Sequence, residues 1–160
     1  MVLFLQCISV IFIYTIIVLA KCKDPVQFYS DYPPKIKERI KALPMYKDKI
    51  PTSEKTYGVK IIGTAFLVLV LYLMCYFADK LTFSRAFLQV FIITMAVDLY
   101  DVLVLDLIWF CHSKYFVLPG TEDLKEEYKS PITHIKGGLK GLLASIVISC
   151  VVGIIIRVIH

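Results

Sequence analysis

Four stretches of this chain are apolar for longer than a soluble domain needs. Val2–Ala20 and Ile61–Ala78 contain no charged residue, Ala86–Cys111 contains only three aspartates, and Leu142–Ile156 is again uncharged. At ~1.5 Å rise per residue, helices of ~18–20 residues match a hydrocarbon core of about 30 Å. The composition agrees: of 160 residues, 58% are hydrophobic and 19% charged, against about 45–50% and about 25% in soluble domains. A secreted disulfide scaffold, a disordered chain and a nucleic-acid-binding domain are excluded. The expected class is an all-α membrane protein, a bundle of four transmembrane helices at about 2–20, 60–78, 86–111 and 131–158 in one membrane domain.

The net charge is +5, but its placement is more informative. Ten Lys/Arg lie between Lys21 and Lys60, and Lys114, Lys125, Lys129, Lys136 and Lys140 precede or open the fourth run. The other side holds only Lys80, Arg85 and Arg157. By the positive-inside rule, both termini lie outside, and the loops at about 21–57 and 112–130 are cytoplasmic. This places the chain in a cell membrane as a multi-pass protein. Nothing basic precedes Val2–Ala20, and it is longer than a signal-peptide core, so a retained helix is expected. The five cysteines show no metal or disulfide spacing and read as reduced core residues.

The first loop is patterned. Asp31-Tyr32-Pro33-Pro34 is a turn, and the second proline suits a helix start. Ile36, Ile40 and Leu43 then recur at helical spacing opposite Lys35, Lys37, Glu38, Arg39 and Lys41, until Pro44. A short amphipathic cytoplasmic helix follows, either lying on anionic lipid head groups or docked on the protein. In the second loop Pro119-Gly120 is a tight turn, and Thr121 is placed to N-cap a short helix carrying Glu122 and Asp123.

The third run holds the chemistry. An aspartate at a bilayer centre costs about 2.5–3.5 kcal/mol on insertion scales, so Asp98 and Asp101 need a purpose. At about 100° per residue, Asp98, Asp101, Asp106, Trp109 and His112 share one broad face descending to the cytoplasm, with Asp106 near the interface. Asp98, Asp101, His112 and His134 are the candidate catalytic residues, as acids, bases or proton carriers. The same four, with Glu122 and Asp123, are a candidate set for a divalent metal, although no local ligand spacing supports it. Gly137, Gly141, Ser145, Ser149 and Gly153 repeat every four residues, a small-residue stripe that lets another helix approach closely.

Several of these residues carry a resemblance. Tyr32-Pro33 with Arg39, Asp98-Leu99-Tyr100-Asp101, Asp106, Trp109-Phe110-Cys111-His112-Ser113, Pro119-Gly120-Thr121-Glu122-Asp123, His134 and Lys140-Gly141 resemble a family of small four-helix membrane proteins of Gram-positive bacteria. The likeness runs from about 28 to 155. No activity is assigned to that family, so it implies topology and bacterial origin and no role for any residue.

Three functions fit these residues. The first is a membrane-embedded enzyme with a cytoplasm-facing Asp/His site for a lipid or another amphiphile. The second is an accessory or scaffold subunit of a membrane complex, its acids structural. The third is a proton- or cation-coupled carrier working as a homodimer. A carrier should show polar groups in the outer half as well, and few are evident. The expected partners are the bilayer, anionic lipid at the basic first loop and a further copy or a larger complex.

Overall fold

The structure, a computed structural model, describes residues 1–51 and 57–160 in full and the backbone of 53–56. Thr52 and the side chain of Lys55, both in the expected first loop, lie outside the described residues. The described chain is helical and shows no strand. Helix α1 is Val2–Lys21, α2 Pro34–Ala42, α3 Ser53–Phe77, α4 Phe83–Tyr100, α5 Lys125–Tyr128 and α6 Ile132–Ile159. Among the described residues, three helices are long and apolar enough to cross a membrane: Val2–Lys21, Tyr57–Phe77 and Ile132–Ile159. The third expected span differs. It starts as α4 and becomes a π-helix over Asp101–Phe110, where backbone bonds widen from i→i+4 to i→i+5. The α3 backbone begins at 53, earlier than the apolar run.

Helices α4 and α6 make the most extensive contact and run antiparallel, Phe83 meeting Gly153 and Asp98 meeting Gly141. Leu71 and Cys75 of α3, Ala86, Val90 and Ile93 of α4, and Val152 and Ile156 of α6 form one buried cluster. The stripe on α6 explains the close approach from its second member onward. Ser145, Ser149 and Gly153 are buried, and a Cβ at Gly153 would come within 2.8 Å of the Phe83 ring. A Cβ at Gly141 would overlap the Asp98 carboxylate. Gly137 departs from the expectation: a Cβ there meets nothing within 4 Å. Its neighbour Gly138 instead faces Val102, 2.6 Å from where its Cβ would sit. The outer faces stay apolar and open, as at Phe4, Phe12 and Ile16 of α1 and Leu139, Leu143 and Val147 of α6.

Between α3 and α4 the chain turns through Asp79, which adopts a positive φ of 52°. Lys80 N–H returns to Cys75 C=O at 3.0 Å, closing the end of α3. Near this hairpin, the Gln89 amide donates to Gln6 Oε1 at 2.8 Å and both amides reach Met74 C=O. Helices α1, α3 and α4 are thereby tied at the end carrying both termini. The half carrying the termini is thus more polar than its sequence suggests.

At the opposite end the two long loops fold together into an aromatic cap. Tyr32 is fully buried, its ring 5.2 Å from Phe110 and 5.6 Å from Tyr128, and its hydroxyl donates to Phe116 C=O at 3.0 Å. Tyr46 donates to Pro119 C=O at 2.9 Å. Ile36 and Ile40 of α2 are fully buried in this cluster, so α2 is docked on the protein and its apolar face is not in the leaflet. Arg39 then reaches Asp123 with both terminal nitrogens, at 3.0 and 3.3 Å, and Lys35 pairs with Glu127.

Thr121 does not cap with its side chain. Its hydroxyl donates to Leu118 C=O at 2.7 Å, so Tyr128 donates to Thr121 at 2.7 Å and accepts from Leu118 N–H at 3.2 Å. That closed ring of bonds is fully satisfied, which is what a buried polar cluster requires. Burial pushes the Tyr128 phenol above its ordinary range, keeping it a neutral donor.

Candidate acid–base site

Each acid of the third apolar run is positioned by a different neighbour. Asp98, near the end of α4, faces the Gly141 gap on α6. One α turn later, Asp101 turns toward α1, where the Tyr14 hydroxyl donates to Oδ1 at 2.8 Å. Beside it, Thr15 and Tyr100 bring their hydroxyls to 3.0 Å, a second link between the same helices. Asp98, Asp101 and Tyr14 line a half-open cavity of about 240 Å³, whose other walls are mainly apolar and include Val10, Leu67, Val97 and Ile148. A small polar group with an apolar tail suits such a lining.

Further toward the cap, Asp106 returns to α6. Its Oδ2 lies 3.0 Å from His134 Nδ1. His134 is only 2% exposed, and the Phe110 ring packs edge-on against it at 5.0 Å. An ionised Asp106 beside Nδ1 favours the ring proton on that nitrogen, which in the neutral ring puts the lone pair on Nε2. Nε2 is buried and has no hydrogen-bond partner among the described residues. A carboxylate orienting an imidazole from behind, with the other nitrogen left open, is the arrangement by which a histidine accepts and returns protons.

The expected meeting of Asp98, Asp101, His112 and His134 in one cavity does not occur. The π-helix is the reason. An α-helical face would bring Trp109 and His112 back under Asp98, but each π turn takes one residue more. Cys111 N–H bonds Asp106 C=O at 3.0 Å, so the buried Cys111 follows Asp106 on its face. His112 is displaced to the surface, where Nδ1 donates to Leu107 C=O at 2.9 Å.

The cap carboxylates are engaged too. Asp123 holds Arg39, and Glu122 accepts from Gly120 N–H at 2.9 Å. Among the described residues no three His, Cys, Asp or Glu stand close enough to hold a metal ion together. The six-residue metal set is therefore spread over three places: the cavity, the His134 pocket and the cap.

The sequence gives no local signal for two of these side chains. Tyr14 lies in an apolar run, although a buried tyrosine hydroxyl generally needs a partner. Asp106 reads from the sequence as an interfacial acid of little cost, and only the fold places His134 against it. No protein-family model matches the chain, and comparison with curated proteins and with solved structures finds no similar one.

Proposed function

We propose that all four long helical segments cross the bilayer and that Asp98, Asp101, Asp106 and His134 form an acid–base centre acting on a lipid or another amphiphile. The fourth crossing is the segment Phe83–Phe110. Its outward side chains Leu88, Ile92, Leu99, Leu103 and Ile108 are exposed and apolar, as lipid contact requires. The observation that carries the functional reading is the buried His134 ring, with Nδ1 3.0 Å from Asp106 and a buried Nε2 that has no hydrogen-bond partner among the described residues. Asp98 adds to it, since it accepts no hydrogen bond among the described residues while edging the cavity. In this reading the tail of the amphiphile lies along Val10, Leu67 and Ile148. Its hydroxyl or amine meets Asp98 and Asp101, and Asp106–His134 exchanges protons with the cap side.

Removal of the charge tests this. Asp98→Asn and Asp101→Asn keep size and hydrogen-bonding capacity, and each is expected to leave melting within about 1 kcal/mol of wild type. Lipid extracts of cells expressing wild type should contain a lipid species gained or depleted relative to either variant. Identical extracts from equally folded proteins would remove the enzyme reading.

One observation favours the accessory-subunit reading in that event. Tyr14–Asp101 and Asp106–His134 each join two helices, as structural polar ties do.

The cap is assigned to the cytoplasm from the basic loops, with both termini outside. Met45, 54% exposed on the cap, provides the test as Met45→Cys. An impermeant maleimide should label it only after the cells are opened. Labelling in intact cells reverses the orientation and puts the His134 side outside.

A further inference from the structure

A second cleft, of about 440 Å³, lies outside the acid–base site, between the chain leaving the π-helix and α5. Lys114, Lys125 and Lys129 line it together with His112 and Ser113, and Glu122 is the acid among its lining residues. Two nearby cations of the cap are paired, Lys35 with Glu127 and Arg39 with Asp123. Lys129 has only the exposed Glu126, at 2.8 Å, and such surface pairs are weak. Lys114 and Lys125 form no ion pair among the described residues. The Glu122 carboxylate is turned to Gly120 N–H. The cleft therefore presents a surplus of positive charge beside hydroxyl and imidazole groups.

Its depth follows from the fold. Asp106 and His134 are in contact, so they share one level. Cys111–Lys114 lies one to two turns beyond Asp106, and Lys125–Lys129 lies five to nine residues before His134. Both walls thus sit just past the end of the spanning segments, at the level of lipid head groups.

We infer that this cleft binds a phosphate anion, either the phosphate of an anionic phospholipid or free phosphate, through Lys114 and Lys125. Lysine ammonium groups bind phosphate as point charges with charge-assisted hydrogen bonds, and a site at head-group depth meets that anion in every anionic leaflet. The basic contact with lipid is thereby moved from the first loop, whose helix α2 faces the protein, to the second.

The test is calorimetric titration of the full chain in a neutral detergent. The titrants are short-chain phosphatidic acid, short-chain phosphatidylcholine and inorganic phosphate, applied to wild type and to the double variant Lys114→Gln/Lys125→Gln. Phosphatidic acid should bind wild type at one equivalent, at least tenfold more tightly than phosphatidylcholine, and the double variant should lose at least tenfold. Inorganic phosphate binding as tightly, with the same loss, identifies the free anion as occupant. Weak or absent phosphate binding beside tight phosphatidic acid identifies the lipid. Both lysines are exposed, so melting should not change; if it does, Lys114→Gln alone makes the same comparison. Absence of binding by both anions, equal binding of phosphatidylcholine, or an unaffected variant overturns the inference.

Discussion

Gly141→Leu should be among the most damaging single substitutions in the membrane bundle. Even a Cβ at this position would lie 1.8 Å from Asp98 Oδ1 and 2.6 Å from its Cγ, so the carboxylate must move to admit any side chain. Overpacking generally costs about 1–3 kcal/mol, and here relief requires either separating α4 from α6 or driving a carboxylate out of its cavity. The expected result is a loss at or above the top of that range, read as a lower melting temperature and a broadened size-exclusion profile in detergent. Gly137→Leu is the control from the same stripe. Nothing lies within 4 Å of its Cβ direction, so it should behave as wild type. Equal behaviour of the two variants would show that α6 does not present this face to α4.

Tyr32→Ala should dismantle the cap. The ring is 0% exposed and touches Phe110 and Tyr128, and its hydroxyl serves the carbonyls of Phe116 and Pro25. Truncating a buried aromatic costs about 3–5 kcal/mol, enough to release a small subdomain locally while the helices persist. Hydrogen exchange should rise across residues 25–46 and 111–128 and stay low in α4 and α6. Tyr32→Phe keeps the ring and loses only the hydroxyl, and should cost about 1 kcal/mol. Exchange unchanged in Tyr32→Ala would mean that the loops are not held by this residue.

Much of this architecture is visible in the sequence because its signals are local. Four apolar runs mark the long helices, Pro33-Pro34 marks the start of α2, and Gly141 to Gly153 mark a packing face. Asp98 and Asp101 stand out because acids in apolar helices carry a large solvation penalty. The rest depends on long-range contacts or on a change of period. The pattern Ile36, Ile40, Leu43 is the same whether the apolar face meets lipid or Phe116, so only the fold reveals that α2 is docked. The π-helix falsifies the 100° per residue assumption after Tyr100, which separates His112 from the acids. Asp106 and His134 are 28 residues apart and have no shared motif. Their pairing follows from the register of the π-helix against α6, which pattern reasoning does not provide.

In the proposed centre His134 keeps a proton-accepting nitrogen inside the protein because Asp106 favours the proton on the other one. Nitrogen-15 solid-state NMR of histidine-labelled protein in bilayers reads this directly, with His134→Gln assigning the signal. The expected spectrum shows a protonated Nδ1 hydrogen-bonded to a carboxylate and, in the neutral ring, a bare Nε2, and Asp106→Ala is expected to abolish that preference. A neutral His134 with its proton on Nε2 and a bare Nδ1 would contradict it.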